Sequence, residues 1–121
     1  MNPMRIVLFV AVTFFMVNGH VRAENKVTLD KTESVNVGEA TGEGTYQLDA
    51  GWKVEGIDLY FRQCGVTIKT VACDFGKGKF KGLAIQLNST ETYQVQAVMA
   101  ISHATLGDDA KTSNEKDVTI K

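Results

Sequence analysis

Apolar side chains occupy every odd position from Tyr93 to Ile101 (Tyr93, Val95, Ala97, Met99, Ile101), with mostly polar or small residues between them. A period of two is the mark of a strand with one face buried, because successive side chains point to opposite faces of a sheet. A second run, Leu83, Ile85 and Leu87, alternates with Ala84, Gln86 and Asn88, and predicts a strand whose odd positions face the core. The link between the two runs, Asn88-Ser89-Thr90-Glu91, is polar, as a surface turn should be. The segment Gly82–Ser102 therefore reads as two strands of an antiparallel core.

The rest of the chain follows the same period less regularly. Val27, Leu29, Val35 and Val37 are apolar and odd, but Lys31-Thr32-Glu33-Ser34 interrupts them, which predicts a bent or edge strand over Lys26–Val37. Gly38–Gly44 (GEATGEG) has three glycines and no large apolar residue and reads as a loop before a short strand, Thr45–Leu48. In Trp52–Gln63, Trp52 and Val54 are even whereas Ile57, Leu59 and Phe61 are odd. One face stays buried only if an extra residue is absorbed, and Gly56 stands where a bulge would do so; a break at Glu55-Gly56 is the alternative. Gly65–Ala72 is β-prone, Asp74–Gly82 (DFGKGKFKG) reads as a turn, and His103–Lys116 reads as a long polar connection before a last strand at Val118 and Ile120. No apolar stripe of helical period follows residue 23. About seven short strands separated by turns predict an all-β sandwich.

The N-terminus changes what belongs to that domain. Arg5 precedes an apolar run, Ile6–Val17, interrupted only by Thr13 and followed by a polar stretch ending at Ala23. This is the layout of a secretory signal peptide cleaved after Ala23, and the run is short of the roughly 20 apolar residues of a membrane span. The expected organisation is a signal peptide over residues 1–23 and one β-sandwich domain over residues 24–121. Without Arg5 and Arg22 the chain keeps 11 basic and 14 acidic groups, a mildly acidic balance with no footprint for nucleic acid. The expected location is extracytoplasmic, secreted or periplasmic.

Two cysteines, Cys64 and Cys73, remain after that cleavage. In an oxidising compartment an even pair is most simply one intrachain disulfide, with free thiols or bridging to another chain as the alternatives. A straight strand over Val66–Ala72 would hold the two nearly 30 Å apart at about 3.3 Å per residue. A disulfide needs Cα atoms within about 7 Å. The expected pairing thus requires the segment to fold back.

Leu87–Ala97 (LNSTETYQVQA) resembles the corner between the penultimate strands of fibronectin type III domains: a leucine ends one strand and a tyrosine six residues later begins the next. The resemblance implies a single immunoglobulin-like, fibronectin type III-like β-sandwich. It also implies that Tyr93 forms a tyrosine corner, with its ring in the core and its hydroxyl bonded back to the backbone just upstream. Trp52, 41 residues before Tyr93, would be the core tryptophan of the sandwich. The chain departs from the pattern in having no proline after residue 23 and in carrying a cysteine pair.

Catalytic chemistry finds little support. His103 is the single histidine after residue 23, with no nucleophile or base suggested by spacing. Cys64, Cys73 and His103 lack the paired spacing of a metal centre, and no metal or cofactor is expected. Asp108-Asp109 could offer oxygens to calcium but reads more simply as a turn. Lys77, Lys79 and Lys81, two apart, would share a face if extended and could meet an anionic polysaccharide or lipid head group; alternatively they guard a sheet edge. Asn88-Ser89-Thr90 is an N-glycosylation sequon, relevant in a eukaryotic source. The expected function is non-enzymatic binding of another protein or a surface polysaccharide. The expected surface is the polar connection, through His103, Leu106, Asp108, Asp109 and Lys111. A structural or assembly subunit of an envelope or fibre, and a small inhibitor or ligand carrier, are the alternatives.

Overall fold

A computed structural model describes residues 24–121; the expected signal peptide lies outside the described residues. Eight strands form two antiparallel sheets: β1 (Lys26–Glu33), β2 (Ala40–Gln47), β3 (Trp52–Gln63), β4 (Val66–Ala72), β5 (Asp74–Gly76), β6 (Lys79–Ala84), β7 (Thr92–His103) and β8 (Gly107–Thr119). The first sheet has the order β1-β2-β6-β5 and the second β4-β3-β7-β8. The inner faces enclose one core, in which Leu29, Ile57, Leu59, Phe61, Tyr93, Val95, Met99 and Ile101 are essentially inaccessible to water.

The β7 alternation holds at all five odd positions. The parity change in β3 is absorbed as expected, by a bulge between Val54 and Gly56 in an otherwise continuous pairing with β7. The tyrosine corner is also present. Tyr93 is buried, its ring meets Phe61 edge-on at 6.4 Å, and its hydroxyl accepts a hydrogen bond from the Asn88 backbone N–H at 3.1 Å. Tyr93→Phe keeps the ring and orphans that N–H, so unfolding in urea should show a loss of about 1–2 kcal/mol with an unchanged m-value.

Other expectations are corrected. Gly38–Gly44 is mostly strand: β2 begins at Ala40, and its glycines at 42 and 44 face inward. A Cβ on Gly44 would collide with the Thr28 carbonyl oxygen and the Phe80 ring, so this position is a strand residue that has no room for a side chain. The phase of β6 is the reverse of that expected. Phe80, Gly82 and Ala84 face the core, whereas Leu83 and Ile85 are 49% and 46% exposed. Phe80 is the large ring in that strand and sets its phase; the positive φ of Gln86 (60°) then turns the chain so that Leu87 is buried.

His103–Lys116 is not a loop. Ala104–Leu106 is a three-residue turn closed by Gly107 at φ 87°, and from Gly107 the chain is β8, paired along β7. Its polar character reflects an edge strand whose outer side is wet. Where the β7–β8 register shifts between Gln96 and Val98, the Ser113 hydroxyl accepts the buried Ala97 N–H at 2.8 Å. The next residue, Asn114, reaches across to β1: its Oδ1 accepts the Leu29 N–H at 2.9 Å and its Nδ2 donates to the Leu29 carbonyl at 3.0 Å. One side-chain amide thus acts as a rung between the two sheets.

Candidate functional site

The β2–β3, β5–β6 and β7–β8 turns meet at one end of the sandwich. Trp52 pairs with His103, which sets the first beside the third, and the Tyr46 N–H donates to the Gly78 carbonyl at 2.9 Å, which anchors the second. Trp52 is half-buried at the rim of the core rather than at its centre, and its ring packs against the imidazole of His103 at 5.2 Å. His103 in turn fixes the turn that follows it. Its Nδ1 accepts the backbone N–H groups of Thr105 and Leu106, both at 3.1 Å, which places the ring proton on Nε2 in the neutral form. The ring also needs Gly51 opposite, since a Cβ there would lie 2.6 Å from Nε2. At the tip, Leu106 is 69% exposed.

Beside this turn, Gly51, Lys53, Glu55, Ser102, His103 and Asp108 line an open depression of about 530 Å³. The Ser102 hydroxyl donates to Glu55 Oε2, and Lys53 stands 3.6 Å from the same carboxylate. The serine hydrogen bond first, and the lysine second, hold Glu55 below the usual carboxylate range. The Ser102 hydroxyl is hydrogen-bonded to Glu55 and the His103 Nδ1 to the turn backbone, not to each other. Asp109 is occupied as well: the Ala110 N–H and Lys111, 3.4 Å away, keep its carboxyl low. Of the residues expected to form a binding loop, the structure gathers His103, Leu106 and Asp108 at the turn and leaves Asp109 and Lys111 as neighbours along β8. Gly51, Lys53, Glu55 and Ser102 were not singled out by sequence as site residues; the parity break at Glu55-Gly56 signalled only the bulge.

The lysines do not form an anion patch. Lys77 lies in the Lys77-Gly78 turn at φ 53°, so only Lys79 and Lys81 share a face. Lys81 is 3.7 Å from Glu43 and registers opposite Asp74. The depression of about 490 Å³ on that face is lined by carboxylates of Asp30, Glu43 and Asp74 as much as by amines. Nor do these lysines guard an edge, because β6 lies inside its sheet. Asn88 sits in the exposed β6–β7 turn with its amide donating to Glu91 at 3.2 Å. Among the described residues no group of three His, Cys, Asp or Glu could hold a metal ion, and no helix is long and apolar enough to cross a membrane.

The expected disulfide is absent. β4 stays extended from Val66 to Ala72, with one bulge in its pairing with β3, and Cys64 and Cys73 stand free beyond its two ends. Cys64, at φ 50°, forms a two-residue hairpin turn with Gly65 at φ 76°, so the segment has no need to fold back. Cys73 carries the chain from one sheet to the other, and burial, then Asp58 and Asp74, push its thiol up to about 12. The thiolate is the reactive form. At neutral pH a thiol-specific reagent should therefore label one site, Cys64, on the folded protein and a second only after denaturation.

No protein-family model matches this chain, and no curated protein matches it. Solved structures do. Murine CRIg aligns at a TM-score of 0.51 with 8% identity, over 81% of this chain and 97% of that one. An engineered structural-genomics protein aligns at 0.50 with 17% identity over 81% of this chain, which spans about 20% of that protein's length. At such identity the likeness is one of fold, and it agrees with the strand order: β1-β2-β6-β5 matches the A-B-E-D sheet of immunoglobulin domains, and β3-β7-β8 the C-F-G sheet with β4 added at its edge. The chain is an all-β, immunoglobulin-like sandwich.

Proposed function

We propose that this protein is a secreted or periplasmic, non-enzymatic module that binds another macromolecule through the turn between β7 and β8. The observation that carries the reading is the exposed Leu106 side chain on a backbone immobilised by His103 and Trp52. A rigid turn loses less conformational entropy on binding than a mobile one, and turns of a sandwich are where such scaffolds place recognition residues. An apolar tip favours a protein partner over a polysaccharide. The extracytoplasmic location rests on the pattern of residues 1–23.

The test uses residues 24–121, which contain both sheets, immobilised and exposed to envelope and secreted material of the source. Capture of one macromolecule, lost in Leu106→Asp and weakened in His103→Ala with unchanged melting of the Leu106 variant, is the expected result. Capture indifferent to both substitutions overturns the assignment of the site.

A further inference from the structure

The outward face of the second sheet carries charge in an arrangement that fits itself. Because Ile57, Leu59 and Phe61 face the core, Asp58, Tyr60 and Arg62 face out; on β7 the same holds for Gln94, Gln96, Val98 and Ala100. Register then arranges this face in rows. Arg62 lies opposite Gln94 and Gln94 opposite Asp117; Tyr60 lies opposite Gln96 and Gln96 opposite Glu115. Below them come Val98 between Asp58 and Thr112, and Ala100 between Gly56 and Ala110. The upper rows are therefore basic at β3 and acidic at β8, and the lower rows are small apart from the Asp58 carboxylate beside Val98.

Arg62, the only arginine after residue 23, is held by neutral groups alone. Its guanidinium lies 5.2 Å from the centre of the Tyr60 ring, Nε donates to Thr67 Oγ1 at 3.2 Å, and an Nη donates to Gln96 Oε1 at 2.8 Å. Gln96 is itself fixed by donating to the Ser113 carbonyl at 2.8 Å. None of the ion pairs among the described residues involves Arg62, Glu115 or Asp117. A guanidinium held in place with no counter-charge is prepared for a carboxylate from outside the chain.

We infer that this face is an isologous interface with a second copy of the chain. A two-fold axis parallel to the strands sets β3 of one copy over β7 and β8 of the other at the same row. Arg62 then meets Asp117 and Glu115 of the second copy, twice, while Val98, Ala100 and Ala110 of both copies close the lower rows. Four strands at about 4.8 Å spacing and about 3.3 Å per residue present roughly 600 Å² over about ten residues. That is on the scale of the ~800 Å² per partner of a standard interface. The competing route, edge-to-edge pairing through β4, is opposed by the bulge in its pairing between Phe61 and Arg62, which distorts that edge.

Sedimentation equilibrium of residues 24–121 should show a concentration-dependent dimer. Arg62→Glu should raise its dissociation constant at least tenfold, as should the double variant Glu115→Arg, Asp117→Arg. Mixing the two variants should restore a heterodimer, because the reversed charges again match. Melting curves of each variant alone confirm that the fold is retained. A wild-type protein that stays monomeric up to its solubility limit overturns the inference. So does a dimer that Arg62→Glu leaves intact, or a failure of the mixed variants to associate.

Discussion

Replacing Leu59 with alanine should remove about 3–4 kcal/mol of stability, because Leu59 is fully buried and its loss leaves a cavity as well as a transfer deficit. The special feature of the site is what Leu59 packs against. It projects from the second sheet onto Gly42 and Gly82, which register opposite each other in the first. A Cβ on Gly82 would lie 2.9 Å from both Leu59 Cδ1 and Cys73 Sγ, and one on Gly42 would lie 2.9 Å from Leu59 Cδ1. The glycines form the socket for the leucine. Gly42→Ala, whose Cβ would be crowded by Leu59 alone, should therefore cost about 1–2 kcal/mol in the wild type by overpacking. In the Leu59→Ala background the new methyl has space, and the same substitution should cost nothing or restore stability. A cycle of four urea titrations measures this coupling. Additivity within about 0.5 kcal/mol would show that leucine and glycine are independent.

Asn114→Ala should be nearly as damaging, at about 2–4 kcal/mol, although Asn114 is itself exposed on an edge strand. The substitution removes the acceptor of the Leu29 N–H and a donor to the Leu29 carbonyl at a residue that is wholly buried. Each orphaned backbone group costs on the order of 1–3 kcal/mol. Asn114→Asp keeps the acceptor but sets a carboxylate oxygen against the carbonyl, so it should be no better than alanine. Hydrogen exchange gives the direct readout: the Leu29 amide should lose protection in both variants, while the β3–β7 amides change only with global stability. Unchanged protection at Leu29 would contradict the role assigned to the amide.

These two sites show why part of the architecture was legible and part was not. β7 and β3 were readable because a large apolar residue at every second position can be satisfied in only one way, with that face buried. The bulge at Gly56 was readable for the same reason, since parity must be conserved across it. The tyrosine corner was legible through the resemblance of Leu87–Ala97 to fibronectin type III domains, and Tyr93 forms it with its own neighbourhood, five residues upstream. The first half of β2 was not, because its core positions are Ala40, Gly42 and Gly44, and a glycine at the close approach of two sheets has the same letter as one in a loop. β8 was hidden by its polarity: Ser113 and Asn114 look like loop residues, and their work is to satisfy backbone groups of β7 and β1 that only the packed fold brings near.

The candidate site divides in the same way. Sequence singled out His103, Leu106 and Asp108, yet gave His103 no partner; the hairpin and the Trp52–His103 pairing made it a clamp for the turn that follows. The disulfide was inferred from compartment and cysteine count, and the extended course of β4 removed it. Alternation by itself determined that this is an all-β sandwich, because burial of one strand face is a local, periodic demand. Strand order, the inward phase of β6, the socket for Leu59 and the charge rows around Arg62 were decided only by tertiary structure. They depend on which strands lie side by side and which side chains meet across the sheets.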